Sequence, residues 1–203
     1  MNNIEIEISV IIPVFNGEKF INNAYKCIVN QGFKNIEIIF VDNNSTDDSI
    51  LLIKDLLLKD RRVSLYIETT QGAAAARNMG LSKSIGKYIH FYDVDDTMYK
   101  GAYKSLKSIL DQFPETDSAF GKTFKSYETF EETIHPIQGN GHITHYKKPY
   151  LAKLLLTTNG IVPGTLAYLH RRNVFNVIGD FPENLILGED VFFSFKINTK
   201  YES

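Results

Sequence analysis

Short apolar runs alternate in the first half of the chain with segments whose apolar residues recur every three or four positions. Nearly continuous apolar runs of this length are typical of parallel strands that are buried on both faces. The predicted strands are Ile6–Val14, Ile36–Val41, Val63–Ile67 and Lys87–Tyr92, and the predicted helices between them are Glu18–Val29, Ile50–Leu57 and Ala73–Lys83. Strands that alternate with helices predict an α/β fold with a central, mostly parallel sheet flanked by helices.

Beyond Tyr99 the pattern loosens, but strands and helices still alternate. The later predicted elements are a helix at Ala102–Phe113, a strand at Asp117–Tyr127, a helix near Tyr150–Leu156, a strand near Thr165–Leu169 and a helix starting near Glu189. No repeat or low-complexity linker divides the 203 residues, so we expect a single domain over residues 1–203. The last helix lacks a convincing C-cap before Ser203, and we therefore expect the natural protein to continue.

Composition and charge indicate a globular protein and narrow its partners. Hydrophobic residues make up 43% of the chain and charged residues 23%, and the formal net charge is −2. This balance provides no overall field to attract nucleic acid. The single cysteine, Cys27, excludes an internal disulfide and fits a reducing compartment. The chain has neither a signal peptide nor an apolar run of about 18 residues, so we expect a cytoplasmic protein without a transmembrane segment.

Three carboxylates lie close together after the fourth predicted strand, in the segment Asp93-Val94-Asp95-Asp96. Like charges this close repel each other unless a cation or hydrogen-bond donors compensate them. A hard divalent cation would compensate them well, and Mg²⁺ held by one or two carboxylates usually completes its coordination with phosphate oxygens and water. The cluster therefore suggests metal-assisted chemistry on a substrate that carries phosphate.

Polar residues also follow the first two predicted strands, in segments 13–18 and 42–45. Each segment alone is compatible with an ordinary turn and helix cap, and Ser45 with Asp48 has the spacing of a capping pair for the second helix. In an open parallel sheet, however, ligands bind beyond the carboxyl ends of the strands. Three polar strand ends at one edge of the sheet predict a binding site there.

Five motifs of the chain resemble, in the same order, the successive motifs of the family 2 glycosyltransferases of GT-A fold. They are Ile8–Asn16, Val41–Asp47, Gly72–Asn78, Asp93–Asp96 and Gly188–Asp190. The resemblance implies a Rossmann-like GT-A catalytic domain, with a nucleotide-binding half at residues 1–98 and a C-terminally truncated acceptor-side half at residues 99–203. It also implies an inverting enzyme that moves a sugar from a nucleotide-diphosphate sugar, UDP-sugar being the expected donor, to a glycan or lipid-linked acceptor. Such a protein would act in polysaccharide or cell-wall synthesis, with peripheral association at the inner face of the cell membrane.

The resemblance assigns roles to individual residues. The implied nucleotide-binding residues are Pro13, Val14, Phe15, Glu18, Asp42, Asn44, Arg77 and Asp95. Asp96, with Asp95, is expected to bind the Mn²⁺ or Mg²⁺ that bridges the donor diphosphate, and Asp42 is suited to accept the imide N–H of uracil. Asp190 is the expected general base, and Glu189 is a candidate acceptor-site residue.

Two positions carry further expectations. Arg77 follows four alanines, and the resemblance places it near the nucleotide, where its partner is the base, a phosphate or an aspartate. Asn43-Asn44 stands where Asp-Gly is more usual in the family. Asparagine tolerates the left-handed backbone that glycine provides, so this departure leaves the interpretation intact.

Two alternatives remain open from the sequence. The segment from Asp93 to Thr97 also fits the Asp-x-Asp-x-Thr pattern of haloacid-dehalogenase-like phosphatases, with Asp93 as the nucleophile and Asp95 as the acid–base. That motif normally follows the first strand of its fold, whereas three predicted strands precede it here. The other alternative is a module that binds a nucleotide-sugar without transferring it, because the segment that often completes the acceptor site in this family is missing after the last helix.

Overall fold

The computed structural model describes residues 5–121, 168–185 and 188–199. The strands within them are β1 (Ile8–Val14), β2 (Ile36–Asp42), β3 (Val63–Ile67), β4 (Tyr88–Phe91), β5 (Ser118–Phe120) and β6 (Tyr168–Arg171). The helices are α1 (Ile21–Val29), α2 (Ser49–Lys59), α3 (Ala73–Lys83), α4 (Ala102–Gln112), α5 (Asn173–Ile178) and α6 (Glu189–Thr199). No helix in these three ranges is long and apolar enough to span a membrane.

All six strands form one sheet in the order β3-β2-β1-β4-β6-β5. Strands β1 to β4 run parallel, whereas β6 is antiparallel to both β4 and β5. The register aligns the strand ends, because Val14 pairs with Asp42 and Asp42 pairs with Ile67. The polar segments after β1, β2 and β4 therefore leave the sheet at the same edge, which positions the site described below.

Helices cover both faces of the sheet, and alternate strand residues point to the two cores. One core packs residues such as Val10 and Ile38 against α1, α2 and α4, and the other packs Ile11 and Ile39 against α3, α5 and α6. Helix α3 lies close to the sheet because Gly80 has no side chain. A Cβ atom at Gly80 would lie 2.3 Å from Cγ2 of Ile11.

The predicted α/β class, a mostly parallel sheet flanked by helices, is confirmed. The bounds of β3 and α3 agree with the prediction, and the other elements of the first half differ from it by a few residues at their ends. The short helix α5 was not predicted, because its six residues are too few to show a clear helical periodicity of apolar positions. The predicted helix near 150–156 and the part of the predicted strand beyond residue 121 lie outside the described residues.

The predicted capping pair of Ser45 and Asp48 is wrong. Helix α2 begins at Ser49, and the preceding Asp48 makes no side-chain capping hydrogen bond. The Ser45 hydroxyl instead accepts a hydrogen bond from the backbone N–H of Asn16, which belongs to the neighbouring loop. A partner in another segment, supplied by the fold, replaces the local one that the spacing indicated.

Candidate active site

A cleft opens at the carboxyl edge of the sheet, between the segments that follow β1, β2 and β4. Its volume is about 320 Å³. It is lined by Pro13, Val14, Phe15, Asn43, Gln71, Ala73, Arg77, Asp93, Val94 and Asp95. The structure thus brings together, in one concave site, side chains from four segments that are far apart in the sequence.

Two loops on one side of the cleft, residues 16–18 after β1 and residues 45–49 after β2, are joined by reciprocal hydrogen bonds. We call them the interlocked loops. The Asn16 N–H donates to Ser45 Oγ at 3.0 Å, and Asn16 Oδ1 accepts the N–H of Thr46 at 2.8 Å. Each loop therefore satisfies backbone groups of the other.

Gly17 and Glu18 extend the cross-link between the interlocked loops. The Gly17 N–H donates to Ser49 Oγ at 2.9 Å, and the Glu18 N–H donates to Asp47 Oδ2 at 3.0 Å. The Glu18 carboxylate in turn accepts the N–H of Asp48 at 3.2 Å. Glu18 does not line the cleft but holds the second loop against the first.

The Asp47 carboxylate reflects this hydrogen bonding. Slight burial raises the pKa of Asp47. The Ser49 hydroxyl and the backbone N–H groups of Glu18 and Ser49 together lower it by more, so the pKa lies below its ordinary value of 3.8. Hydrogen bonds to the charged form of a carboxyl favour that form. The ionised side chain is therefore part of what holds the interlocked loops together.

Two asparagines at this edge adopt left-handed backbone conformations, Asn16 with φ 51° and Asn44 with φ 65°. The expectation that Asn44 takes the conformation usual for glycine is confirmed. Its side chain also donates to the carbonyl of Thr69 at 3.0 Å and to Gln71 Oε1 at 3.1 Å. Asn44 thus joins the end of β2 to the loop after β3, next to the cleft.

Asp42 lies at the end of β2 and is 1% exposed. Its Oδ2 accepts the N–H of Ser45 at 3.2 Å, whereas its Oδ1 has no hydrogen-bond partner within the described part of the chain. A buried acceptor without a donor is costly, and such groups in native proteins call for an explanation. The neighbouring Val14 and Asn43 line the cleft, so this carboxylate lies beside it.

Asn43 is a cleft residue to which the sequence assigned no role. It is 3% exposed, and all of its amide atoms are engaged. The Nδ2 group donates to the carbonyls of Glu68 and Thr70 at 2.9 and 2.7 Å, and Oδ1 accepts the N–H of Gly72 at 2.7 Å. Asn43 therefore fixes the loop that carries Gln71, another cleft residue not predicted to belong to the site.

Arg77 connects the loop after β4 to the start of helix α6. Its side chain is 5% exposed, with Nη2 donating to Asp93 Oδ1 and Nη1 donating to Glu189 Oε1, each at 3.0 Å. The guanidinium carbon lies 5.5 Å from the centre of the Phe181 ring, a cation–π distance. Among the three partners considered from the sequence, the structure shows the aspartate.

The acidic loop, residues 93–101, follows β4, the strand next to β1 in the sheet. Its first four residues have different environments. Asp93 is paired with Arg77, Val94 packs against the apolar core, and Asp95 and Asp96 are exposed. The Val94 side chain occupies the space beside Gly17, where a Cβ atom would lie 3.2 Å from Val94 Cγ1. The packing of Val94 anchors the loop and leaves the two later carboxylates facing solvent.

Asp96 has an unfavourable electrostatic environment in the absence of a cation. Partial burial of its carboxyl group, together with the negative charges of Asp93 and Asp95, raises the pKa of Asp96 to about 6. Although the residue keeps a large exposed surface, its charged form is less favoured than that of an ordinary aspartate. A bound cation would reverse this preference.

Asp95 and Asp96 fit a divalent cation that also binds phosphate. No group of three or more His, Cys, Asp or Glu side chains within the described ranges has the arrangement of a complete protein-only metal site. Mg²⁺ and similar ions, however, are commonly held by one or two carboxylates together with substrate phosphates. The adjacent carboxylates of Asp95, at the cleft, and Asp96 match this type of site.

Helix α6 begins at Glu189, so both Glu189 and Asp190 lie in its first turn. The Glu189 carboxylate, with 17% of its side chain exposed, is held by Arg77. The side chain of Asp190 is outside the described part of the structure, and only its place in the helix is known. The ion pair with Arg77 therefore ties the start of α6 to the wall of the cleft.

The cleft contains only part of the set assigned from the sequence. Pro13, Val14, Phe15, Arg77 and Asp95 line it, whereas Glu18, Asp42, Asn44, Asp96 and Glu189 are not among its lining residues. The lining residues that the sequence did not assign are Asn43, Gln71, Ala73, Asp93 and Val94. Each of these five residues lies within or next to one of the motifs described from the sequence, and this proximity was the signal that could have identified them.

A family model, that of glycosyl transferase family 2, matches residues 9–176 of the chain. An uncharacterized glycosyltransferase of Haemophilus influenzae is 49% identical over 90 residues, which are 44% of this chain and 36% of the relative. An uncharacterized glycosyltransferase of Rickettsia felis is 33% identical over 188 residues, 92% of this chain and 29% of the relative. The GalNAc(5)-diNAcBac-PP-undecaprenol beta-1,3-glucosyltransferase of Campylobacter jejuni is 36% identical over 102 residues, 49% of this chain and 33% of the relative. The matched part of the chain thus spans about a third of the length of these relatives.

Solved structures share the same fold. Residues 1–349 of S. aureus TarS in complex with UDP superpose with a TM-score of 0.71 at 23% identity, covering 95% of this chain and 55% of TarS 1–349. The mannosyltransferase PcManGT from Pyrobaculum calidifontis, in complex with GDP-Man and Mn²⁺, gives a TM-score of 0.67 at 17% identity, covering 95% of this chain and 52% of the other. These likenesses confirm the GT-A fold.

Proposed function

The chain belongs to glycosyl transferase family 2, and on that premise we propose that it transfers a sugar from a UDP-sugar to a hydroxyl group of a glycan or lipid-linked acceptor. The observation that carries the proposal is Asp42, a carboxylate that is 1% exposed beside the cleft and whose Oδ1 lacks a donor in the described structure. A nucleotide that donates a hydrogen bond to this atom gains binding energy that water cannot easily supply. In this proposal residues 1–98 form the nucleotide-binding half of the catalytic domain, and the rest of the chain forms the acceptor side.

Like thymine, uracil matches this position. Its imide N–H is a donor, whereas cytosine has an acceptor at the equivalent ring position, so Asp42 would favour uracil. Phe15, 55% exposed on the wall of the cleft, offers an aromatic face for the base, and Pro13 and Val14 line the same wall. Asn44 supports this wall through its hydrogen bonds to the loop after β3. The UDP in the TarS structure of the same fold supports the choice of base.

Asp96, with Asp95, is the proposed holder of Mn²⁺ or Mg²⁺. The cation, when bound, stabilises the negative charge that develops on the diphosphate leaving group. The raised pKa of Asp96 and the mutual repulsion of the neighbouring carboxylates support this role, since a cation relieves both. The Mn²⁺ in the PcManGT complex, which has the same fold, agrees with it.

Asp190 is the proposed general base. It would take the proton from the acceptor hydroxyl as the hydroxyl oxygen attacks the anomeric carbon, while the bond from that carbon to the UDP oxygen breaks on the opposite side. A single in-line displacement of this kind inverts the anomeric configuration. Glu189, fixed by Arg77 at the start of α6, would orient the acceptor beside Asp190. The undecaprenol-linked acceptor in the name of the Campylobacter relative supports a lipid-linked acceptor.

Nucleotide binding is tested by thermal shift and titration calorimetry with UDP, GDP and dTDP, each with Mn²⁺ and with EDTA. We expect UDP with Mn²⁺ to give the largest shift, and Asp42→Asn to weaken UDP binding about tenfold because an amide replaces the accepting oxygen. Asp48→Asn is the matched control, because Asp48 is exposed in the loop after β2 and its side chain makes no capping hydrogen bond. The proposal is wrong if no nucleotide stabilises the chain or if Asp42→Asn binds UDP as tightly as the control.

The metal site is tested by the same titrations. Asp96→Asn is expected to remove the Mn²⁺-dependent part of UDP binding, whereas the part measured in EDTA should stay unchanged. Donor use is then tested by measuring the hydrolysis of a panel of UDP-sugars. Tight UDP binding by the full-length protein without turnover of any donor or acceptor would favour a binding module over an enzyme.

The phosphatase alternative is weakened by the structure. Its nucleophile would be Asp93, but that carboxylate is engaged by the buried guanidinium of Arg77. The acidic loop also follows the fourth strand of the sheet rather than the first. Incubation with beryllium fluoride separates the two functions, because a phosphatase of this class forms a phosphoryl-aspartate analogue and the proposed transferase does not.

A further inference from the structure

A buried tyrosine beneath the acidic loop has no part in the function proposed above. Tyr92 directly follows β4 and is 3% exposed, so its ring is fixed in the core. Its hydroxyl donates a hydrogen bond of 2.6 Å to the backbone carbonyl of Asp96. This bond reaches from the core to the residue whose carboxylate is the proposed metal ligand.

The Tyr92 hydroxyl is a permanent donor. Burial, together with the nearby Cys27, Tyr103 and Asp96, raises the pKa of Tyr92 well above its ordinary value of 10.0. The hydroxyl therefore remains protonated across the pH range in which the protein is folded. A phenol in this environment can only donate to the carbonyl oxygen, and the direction of the bond is unambiguous.

Both backbone groups of Asp96 are held by hydrogen bonds. Its N–H donates to the carbonyl of Asp93 at 3.0 Å, which closes a turn, and its carbonyl accepts from Tyr92. The loop around Asp96 has no regular secondary structure of its own. The direction in which the Asp96 side chain leaves the backbone is therefore set by the turn and by the tyrosine together.

We propose that Tyr92 is a positioning residue that holds the Asp96 carboxylate in the orientation required to bind the cation of the metal–diphosphate complex. The inference rests on the proposed function, because it takes Asp96 to be a metal ligand. Groups that orient metal ligands typically change metal affinity by 10- to 100-fold when they are removed. Tyr92 acts through the backbone of the ligand and does not itself touch the metal.

The test is the substitution Tyr92→Phe in the 203-residue chain, which removes only the hydroxyl. UDP binding is titrated at a series of Mn²⁺ concentrations, and we expect the Mn²⁺ concentration for half-maximal UDP binding to rise about tenfold. UDP binding in EDTA should equal that of the native chain. Saturating Mn²⁺ should restore native UDP affinity, because the ligand itself is still present.

Tyr103→Phe is the matched control. Tyr103 is fully buried in the same core, and its hydroxyl bonds His90 Nδ1 at 2.7 Å rather than the acidic loop. Both variants lose one buried hydroxyl and should lower the melting temperature by similar amounts, but Tyr103→Phe should leave the Mn²⁺ dependence unchanged. This control separates a positioning effect from a general loss of stability.

Three results overturn the inference, and they are distinguishable. If native UDP binding responds to Mn²⁺ and Tyr92→Phe responds at the same concentration, the positioning role is wrong and the proposed metal site stands. If native UDP binding does not respond to Mn²⁺, the metal part of the proposed function fails, and the role of Tyr92 fails with it. A shift of equal size in Tyr103→Phe would also contradict the inference.

Discussion

The interlocked loops and the acidic loop, which meet where Val94 packs beside Gly17, are stabilised in opposite ways. The interlocked loops satisfy their backbone N–H groups with side-chain oxygens of the facing loop, as the bonds of Asn16 to Ser45 and of Glu18 to Asp47 show. The acidic loop instead gathers carboxylates whose charges repel, so that burial and neighbouring charge raise the pKa of Asp96 to about 6. The interlocked loops satisfy these backbone groups without a ligand, whereas a cation would relieve the repulsion in the acidic loop.

This difference indicates different roles in the proposed reaction. A planar base needs a surface that is fixed before it binds, and reciprocal hydrogen bonds provide such a surface at little cost when the base arrives. The acidic loop lacks positive charge, and the cation that accompanies a diphosphate would supply it.

The largest effect should separate turnover from binding across the cleft. Asp190→Asn is expected to lower kcat by about 10²- to 10⁴-fold, because the acceptor hydroxyl loses its base, while the Kd for UDP stays unchanged. Phe15→Ala, on the wall beside the interlocked loops, is expected to raise the Kd for UDP about tenfold with kcat retained at saturating donor. Calorimetry and a donor-turnover assay measure the two quantities. An Asp190→Asn variant with native kcat would refute the assigned base.

The next effect concerns the ion pairs that join the acidic loop to α6. Arg77→Met is expected to lower the free energy of unfolding by about 3 kcal/mol, because Asp93 and Glu189 then lose the cation between them. Arg61→Met, at an exposed arginine, is the control and should change stability little. Urea unfolding of both variants checks the prediction. Equal stability of the two would show that these ion pairs do not hold the acidic-loop side together.

A smaller effect is expected in the interlocked loops. Asn16→Ala removes the acceptor of the Thr46 N–H and places alanine at φ 51°, so we expect a loss of about 1–2 kcal/mol in the free energy of unfolding. Asn16→Gly removes the same hydrogen bond but tolerates the backbone conformation, and it should lose about 1 kcal/mol or less. Urea unfolding separates these contributions. If both variants matched the native chain, the cross-link would not be a source of stability.

The smallest effect is a difference in pH dependence between the two sides, measured in EDTA. The folded pKa of Asp47 is below 3.8, so its ionised form stabilises the fold at neutral pH and the contribution is lost as pH falls below about 4. The folded pKa of Asp96 is about 6, so its contribution is present below about pH 4 and is lost as pH rises to about 6. Asp47→Asn should therefore be less stable than the native chain at pH 7, whereas Asp96→Asn should be more stable by about 1 kcal/mol after solvent screening.

Unfolding of both variants across pH 3–8 checks these signs. The differences from the native chain should shrink as the pH falls, because the carboxyl groups of the native protein then become protonated. Addition of UDP with Mn²⁺ should reverse the order for Asp96, since the native chain gains a ligand that the Asp96→Asn variant binds poorly. The same sign for both variants in EDTA would contradict the contrast between the two sides.

Much of the sheet and the location of the site could be predicted because both depend on local patterns. Continuous apolar runs gave β1 to β4, and polar residues directly after three of them indicated the edge at which the cleft opens. The prediction failed where a contact between distant segments replaced a local pattern. Ser45 has the spacing of a helix cap, but its hydroxyl bonds Asn16 in the next loop, and helix α2 begins later.

The roles of Asn43 and Arg77 could not be predicted in the same way. The partners of Asn43 lie 25 to 29 residues further along the chain, in the loop after β3. Arg77 bonds Asp93, 16 residues away, and Glu189, 112 residues away. Nothing in the spacing of these residues indicates that they meet, because the packing of α3 and α6 against the sheet sets the distances.

Hydrophobic periodicity is a property of neighbouring residues, so the amino-acid order was enough to predict the α/β class, the order of the elements in the first half and the sheet edge that carries the polar segments. Only the tertiary structure decided which polar side chains face the cleft and which stabilise its walls. Glu18 and Asp47 became cross-links, and Asp42 was left with a buried oxygen lacking a donor. Hydrogen-bond partners and pKa shifts depend on distances between segments that meet only after the cores have packed.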